Sequence, residues 1–271
     1  MLKLGISTYA LPWSFGIPGV TDAPAVLSPL DLLDLARRYH LRIVQFGDNV
    51  PYALLAQNAS LIRDRAVDAG VQLELATTGT RAEQVQPYIE LCGAIGAKRI
   101  RTLVTTTEFD EAVRQLQDVT PLLAASQVHL MIENHGLHPM IWLVDLVRSL
   151  GSSMVSLCVD TANSLEVPET FHDIASVSKP YCTSVHLKDY NIRRSSDKMS
   201  VIVTGAPLGD GMLDIMSVIR FFGDADVSFI LEQWVPWALT LERTRENERQ
   251  RLVQSITFLS QHCNAWFGTL I

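Results

Sequence analysis

Four short apolar runs in the second half of the chain each end on a residue able to hold a metal ion: Leu130-Met131-Ile132-Glu133, Leu157-Cys158-Val159-Asp160, Ser184-Val185-His186 and Phe229-Ile230-Leu231-Glu232. Runs of β-formers this short read as buried strands, so each carboxylate or imidazole is expected at a strand's carboxyl end. One such residue would pass for a helix cap or an ion-pair partner. Together, Glu133, Asp160, His186 and Glu232 form an oxygen-rich set with one nitrogen. That set suits a divalent ion of intermediate hardness, Mn²⁺ first, with Mg²⁺ or Co²⁺ as alternatives; structural zinc would take more sulfur and nitrogen. Coordination positions would stay open for neighbouring oxygens of a substrate.

Residues of this kind act together only if the fold brings the strand ends to one place. Strands are predicted at 3–8, 42–47, 71–76, 99–104, 128–133, 155–160, 182–188 and 227–232. Between and after them the apolar spacing predicts helices starting at Ser28-Pro29 and over 58–69, 81–95, 109–125, 139–150, 168–178, 212–222 and 245–262. Ser28 is a helix cap with proline at the first helical position, and Gly70, Gly96 and Gly151 stop three of the others. The stretch from Asp189 to Gly211, rich in charges and glycine, reads as one long irregular connection. Strands alternating with helices imply parallel pairing through crossovers, and eight pairs in about 250 residues is the count of a (β/α)₈ TIM barrel. The expectation is a single TIM-barrel domain over residues 1–271. A doubly wound dinucleotide-binding sheet is disfavoured, because Gly5-Ile6-Ser7-Thr8 is not the glycine fingerprint such a fold needs after its first strand. In a barrel the four candidate ligands come from strands five to eight and line one arc of a common mouth.

The composition narrows the function. A net charge of −7 with 19% charged residues suits neither a nucleic-acid nor an anionic-membrane partner. No apolar run approaches the roughly 20 residues of a membrane span. The chain enters its first strand at Lys3 with no leader-like apolar segment, so a cytoplasmic setting is expected. Cys92, Cys158, Cys182 and Cys263 form no CxxC pair and read as small buried hydrophobes. A small-molecule substrate remains the natural partner, and nothing in the pattern opposes a homo-oligomer.

The segments Ile132-Glu133-Asn134-His135, Val159-Asp160-Thr161-Ala162-Asn163, Val185-His186-Leu187-Lys188-Asp189 and Leu231-Glu232 resemble those of the xylose-isomerase-like TIM-barrel superfamily of sugar isomerases and epimerases. Gly209-Asp210-Gly211-Met212-Leu213-Asp214 is similar to that family's G-x-G-x-[IL]-D signature, and the likeness runs essentially end to end. The resemblance implies that Glu133, Asp160, His186 and Glu232 bind the divalent cation. It also implies that Glu133 and Glu232 transfer protons on opposite faces of a small sugar or sugar acid, through an enediolate. An isomerase or epimerase is the first expectation. The alternative is a lyase of the same family, either a decarboxylase of an oxo-isoapionate-type 3-oxo sugar acid or an inosose-type dehydratase. Many epimerases of the family carry histidine where this chain has Asn163, and Glu232-Gln233-Trp234 resembles the decarboxylase branch. The family's endonuclease branch needs further histidines and a basic groove, which an acidic chain with short loops does not offer.

Around these positions His135, Asn163, Lys188 and Arg193 are candidate substrate-binding groups, with Arg194 beside the last and His138 a weaker candidate. Lys188 follows His186 by two residues and so shares its face of the strand. Trp13 and Trp234, with Trp237, are aromatics expected at the mouth, where they can stack on a sugar and exclude water. Gly205, Gly209 and Gly211 are read as a phosphate-binding loop.

Overall fold

The computed structural model describes residues 1–20, 23–223 and 226–270. The chain opens with β1 (Lys3–Ser7), α1 (Pro12–Phe15), α2 (Pro29–Arg38), β2 (Ile43–Phe46), α3 (Tyr52–Gln57), α4 (Ala59–Ala69), β3 (Gln72–Ala76) and α5 (Ala82–Ile95). It continues through β4 (Arg99–Thr102), α6 (Phe109–Ser126), β5 (His129–Glu133), α7 (Met140–Leu150), β6 (Val155–Asp160), α8 (Phe171–Ser178) and β7 (Cys182–Leu187). The last part holds β8 (Asp189–Arg194), β9 (Val201–Ala206), α9 (Ile215–Phe222), β10 (Ser228–Leu231), α10 (Leu241–His262) and α11 (Asn264–Phe267). Strands β1 to β7 and β10 close into a parallel barrel, with β10 between β7 and β1. This is the expected (β/α)₈ architecture. Among the described residues no helix is long and apolar enough to cross a membrane.

Strand alternation sorts the side chains into two shells. Ile100, Leu130, Ile132, Leu157, Val159, Val185, Leu187, Phe229 and Leu231 join the apolar core between sheet and helices. It is met by helix stripes such as Ala112, Leu116, Val119 and Leu123 of α6. The intervening positions, among them Arg99, Arg101, Glu133, Ser156, Asp160, Ser184, His186 and Ser228, stay outside that core and contact one another instead. The barrel interior is therefore polar at both ends.

The structure departs from the sequence expectation in several elements, including the short helices α1 and α11, which no predicted helix covers. The stretch after Lys188 is not irregular: β8 and β9 pair antiparallel from Asp189↔Ala206 to Arg194↔Val201, and the chain reverses through Lys198 at φ 62°. Val201-Ile202-Val203 carried that strand signal, but the hairpin's outer half is exposed except for the half-buried Ile202 and Thr204, so no apolar alternation marks it. The predicted helix at 58–69 is preceded by a separate turn of helix, α3, broken at Asn58. Helix α9 begins at Ile215 rather than 212, because Asp214 caps it through the Ser217 amide. Helix α10 begins at Leu241 rather than 245, capped by Thr240.

Candidate metal centre and its cavity

Glu133 ends β5, Asp160 ends β6, His186 lies near the end of β7, and Glu232 follows β10. All four side chains are buried. One ligand-capable atom from each lies within 4.8 Å of all the others. His186 Nδ1 is 3.3 Å from Glu133 Oε1, 3.4 Å from Glu232 Oε1 and 3.9 Å from Asp160 Oδ2. Atoms each about 2.1 Å from a common ion stand about 3 Å apart at right angles, so this spacing is close to that of a shared ligand set.

Local sequence fixes the aim of each group. Asp160 Oδ1 accepts from the amides of Ala162 and Asn163 at 2.8 and 2.9 Å, which turns Oδ2 inward. Asn134 braces the same strand end, accepting from the Asp160 amide at 2.7 Å and donating to its carbonyl at 3.0 Å. Thr161 Oγ1 donates to the Lys188 carbonyl and accepts from the Lys188 amide, tying the end of β6 to the end of β7. Glu133 Oε2, Asp160 Oδ2, both ring nitrogens of His186 and Glu232 Oε1 are buried without a well-directed hydrogen bond. Buried polar atoms are rarely left so, and an oxygen-rich set with one imidazole fits a divalent ion.

Two cations flank the cluster. Arg101, on β4, places Nε 2.8 Å from Glu133 Oε2. Lys188 places Nζ 2.8 Å from Asp160 Oδ2 and 3.0 Å from Glu232 Oε2, and donates to Asn163 Oδ1 at 3.3 Å. Burial opposes charge on Glu133, but Arg101 and His186 outweigh it and hold the carboxyl well below its usual range. Burial likewise opposes charge on Lys188, and Asp160 and Glu232 overcome it, so the ammonium persists. On Asp160 burial wins over Lys188 and the pKa rises. His186 is raised against the pull of burial by Cys158 and the surrounding carboxylates. A metal ion would replace that proton.

The cluster opens into a cavity of ≈ 450 Å³ lined by Glu133, Glu232, His135, Asn163, Lys188, Trp13 and Trp234, with other neighbours. The barrel thus brings together nine of the ten singled-out positions, counting Asp160 and His186 beneath the lining. Arg193 stands apart: it lies exposed on β8, outside the lining, as does Arg194, which donates to the Lys198 carbonyl. His138 is stacked on Trp142 at 3.9 Å and is also outside the cavity. The glycine loop is not free to hold phosphate. Its amides at Gly209, Gly211 and Leu213 donate to the carboxylate of Asp189 at 3.0 to 3.1 Å. A Cβ at Gly211 would collide with that carboxylate, and one at Gly205 would collide with the Trp234 backbone, so both glycines serve close packing.

Tyr9, Asp48, Arg101 and Gln233, which were not among the expected site residues, also line the cavity. Tyr9 OH donates to Asp48 Oδ1 at 2.8 Å, Thr78 Oγ1 donates to its Oδ2 at 2.7 Å, and Arg101 approaches Asp48 at 4.0 Å. Tyr9, Asp48 and Gln233 follow barrel strands, which meet at one mouth, so position could have found them; Arg101 lies within β4 and carried no such signal.

A family profile described as xylose isomerase-like TIM barrel matches residues 31–262. A 3-oxo-isoapionate decarboxylase of Pectobacterium atrosepticum is 24% identical over 265 residues, 95% of each chain. Among solved structures, a D-psicose 3-epimerase in the presence of D-fructose superposes with a TM-score of 0.71 at 14% identity, covering 98% of this chain and 100% of that one. A xylose isomerase-like TIM-barrel protein from Mycobacterium smegmatis, in complex with magnesium, gives 0.66 at 15% identity over 96% and 98%.

Proposed function

The chain belongs to the xylose isomerase-like TIM-barrel family, and from that membership we propose that it is a divalent-metal-dependent carboxy-lyase acting on a small 3-oxo sugar acid. The observation that carries the proposal is that both cavity-lining carboxylates of the cluster are already ion-paired, Glu133 with Arg101 and Glu232 with Lys188. Epimerisation needs two carboxylates free to take and return a proton. Decarboxylation takes its electron pair from the breaking C–C bond and needs no such base. It requires cations to receive the charge and one group to protonate carbon. The full-length similarity to a decarboxylase supports the same choice.

Glu133, Asp160, His186 and Glu232 would hold the ion, Mn²⁺ first, with Mg²⁺ or Co²⁺ as alternatives. When bound, such an ion supplies a Lewis acid that stabilises negative charge on the 3-oxo oxygen. The bond between C2 and the carboxylate carbon breaks, CO₂ leaves, and its electron pair passes toward the carbonyl. Lys188 Nζ then gives a proton to C2, and Asn163 Oδ1 orients it by their hydrogen bond. Arg101 meets carboxylate or hydroxyl oxygens of the substrate from the β4 side, and His135 orients the far hydroxyls from the rim. Trp13 and Trp234 cover the cavity and exclude water. The residues act as one domain over 1–271, in the cytoplasm, on a small molecule rather than a nucleic acid or membrane.

A second reading, an isomerase or epimerase with Glu133 and Glu232 as the proton-transfer pair, is favoured by both carboxylates lining the cavity. Mass spectrometry separates the two. Purified protein with Mn²⁺ is offered a panel of 3-oxo sugar acids and ketoses. Loss of CO₂ from a 3-oxo acid, without isomerised ketose, is expected. Ketose isomerised at unchanged mass with no CO₂ released would replace the lyase by the isomerase.

A further inference from the structure

Glu248 lies on α10, outside the barrel and away from the metal cluster, yet its side chain is wholly buried. Its carboxylate points into the connection that follows β1. Oε1 accepts from the Trp13 amide at 2.6 Å, and Oε2 accepts from Ser14 Oγ at 2.5 Å. One turn earlier on α10, Arg245 Nε donates to the Trp13 carbonyl at 2.9 Å. The Trp13 indole N–H donates to the Val235 carbonyl at 2.8 Å. Gln233, directly after Glu232, donates to the Ala10 carbonyl at 2.5 Å and to the Glu248 carbonyl at 3.0 Å. Helix α1 is only four residues long and all four are buried, with Phe15 in the core, so the bonds to α10 meet polar groups of α1 that would otherwise be buried without partners.

Trp13 borders two spaces. It lines the candidate active-site cavity, and it also lines an open surface hollow of ≈ 390 Å³ with the exposed Val20 and Trp237 and with Leu241. Its ring lies 5.3 Å from that of Trp237. Trp13 is the residue the two linings share, so its indole stands as the partition between them and a shift of it would join the two spaces.

We propose that Glu248 is a positioning residue that fixes Trp13 as this partition and thereby sets the upper size of the ligand the cavity admits. The proposal rests on the cavity being the ligand site and not on which bond the enzyme breaks. The chemistry supports a dedicated role. Burial pushes the Glu248 carboxyl up to about 7, against the pull of Ser14, the Trp13 amide and Arg245. A carboxylate kept in so unfavourable a place is worth replacing by an apolar residue unless its acceptors are needed.

Hydrogen exchange followed by mass spectrometry on the full chain with Mn²⁺ tests this without a substrate. In Glu248→Leu the Trp13 amide loses its acceptor, and peptides covering residues 8–16 should exchange at least tenfold faster while peptides from β5 to β7 stay unchanged. Glu248→Gln keeps an acceptor oxygen and should restore most of the protection. If Glu248→Leu does not fold, Ser14→Ala removes one bond alone and should give a smaller acceleration confined to the same peptides. With the 3-oxo acid identified by the product panel, Glu248→Leu should raise KM about tenfold with kcat within twofold, and a substrate one carbon longer should gain relative to the parent. Unchanged exchange at 8–16, or a fall in kcat at constant KM, would overturn the proposal. A panel with no turnover would sink the lyase while leaving the exchange result to decide on Glu248.

Discussion

Glu74 on β3 and Glu133 on β5 are both buried inside one barrel, and each lies beside an arginine of β4, yet their surroundings differ in kind. At the amino end of the strands Glu74 Oε2 accepts from Gln45 Nε2 at 3.0 Å, and Arg99 stands 3.7 Å from the other oxygen. Arg99 also donates to the Thr183 carbonyl and Ser228 Oγ; Ser228 reaches Ser184, and Ser156 joins Thr183 to His129. One carboxylate and one guanidinium are spread over neutral groups, and of this set only the neutral Gln45 Oε1 is buried without a directed hydrogen bond. At the carboxyl end Glu133, Asp160 and Glu232 crowd one imidazole and leave buried atoms without directed hydrogen bonds. The lesson is that buried charge alone does not mark a reactive site. A buried set whose charged atoms are partnered without a ligand fits a structural part, and one whose charged atoms are left incomplete could take an ion.

The largest effect should come from breaking the incomplete end. Asp160→Asn keeps the shape and the two amide hydrogen bonds of Oδ1 but weakens the donor that faces His186. Loss of at least 10³-fold in kcat/KM is expected, together with loss of bound Mn²⁺ in metal analysis. Wild-type protein at Mn²⁺ one hundred times its Kd should gain about 2.7 kcal/mol of stability, read as a rise in Tm, and Asp160→Asn should gain little. Equal stabilisation of both proteins would remove Asp160 from the ligand set.

Much of this contrast is legible in the residues themselves, and the exceptions have physical causes. Glu133, Asp160, His186 and Glu232 were readable because each closes an apolar run, which is what a barrel strand buried on both faces looks like. Arg101 was not, because it sits inside Arg99-Ile100-Arg101-Thr102, a run whose alternation reads as a half-exposed strand. Only the closed barrel turns both arginines into its interior. Asp189 read as part of the strand-seven motif, and its partners, the amides near Gly209 and Gly211, lie about twenty residues on across a hairpin that no apolar pattern announced. Glu248 sits on the long polar helix α10, where a carboxylate is unremarkable until the β1 connection is seen packed over it.

A pH series separates carboxylates at which burial wins from those at which neighbouring cations win. At Glu74 and Glu248 burial outweighs the nearby arginine and the neutral donors and raises both; at Glu133 Arg101 and His186 outweigh burial and lower it. For Glu248 burial raises the pKa from 4.5 to about 7, and the field of Arg245 is the charged influence that opposes the rise. Between those values the native state binds more protons than the unfolded one, so stability falls as pH rises through the window. At about 1.4 kcal/mol per pKa unit the full cost is about 3 kcal/mol, present above pH 7 and absent below 4.5. Glu248→Gln should flatten the decline in urea unfolding measured from pH 4.5 to 8 with Mn²⁺ at saturation. An unchanged slope would show that Glu248 titrates normally. Glu74→Gln should act in the same direction.

The smallest effect is expected at the closed end, from Arg99→Met. The substitution leaves Glu74 buried without its cation and deprives Ser228 Oγ and the Thr183 carbonyl of a donor. Losing a hydrogen bond to a charged group costs about 2 kcal/mol. Several features hold the loss to that scale rather than to the larger penalty of a stranded buried charge. Gln45 still donates to Glu74. Lys3 and Lys98 line the same hollow beneath the barrel, and the field of Lys3 already reaches the carboxyl. Glu74 can also stay protonated, since burial favours its neutral form. The loss should therefore appear in Tm and urea midpoint, with KM, kcat and Mn²⁺ content at their wild-type values. A fall in kcat without loss of stability would mean that the two ends of the barrel are coupled through Glu74 and His186, and the division between a structural floor and a reactive mouth would have to be withdrawn.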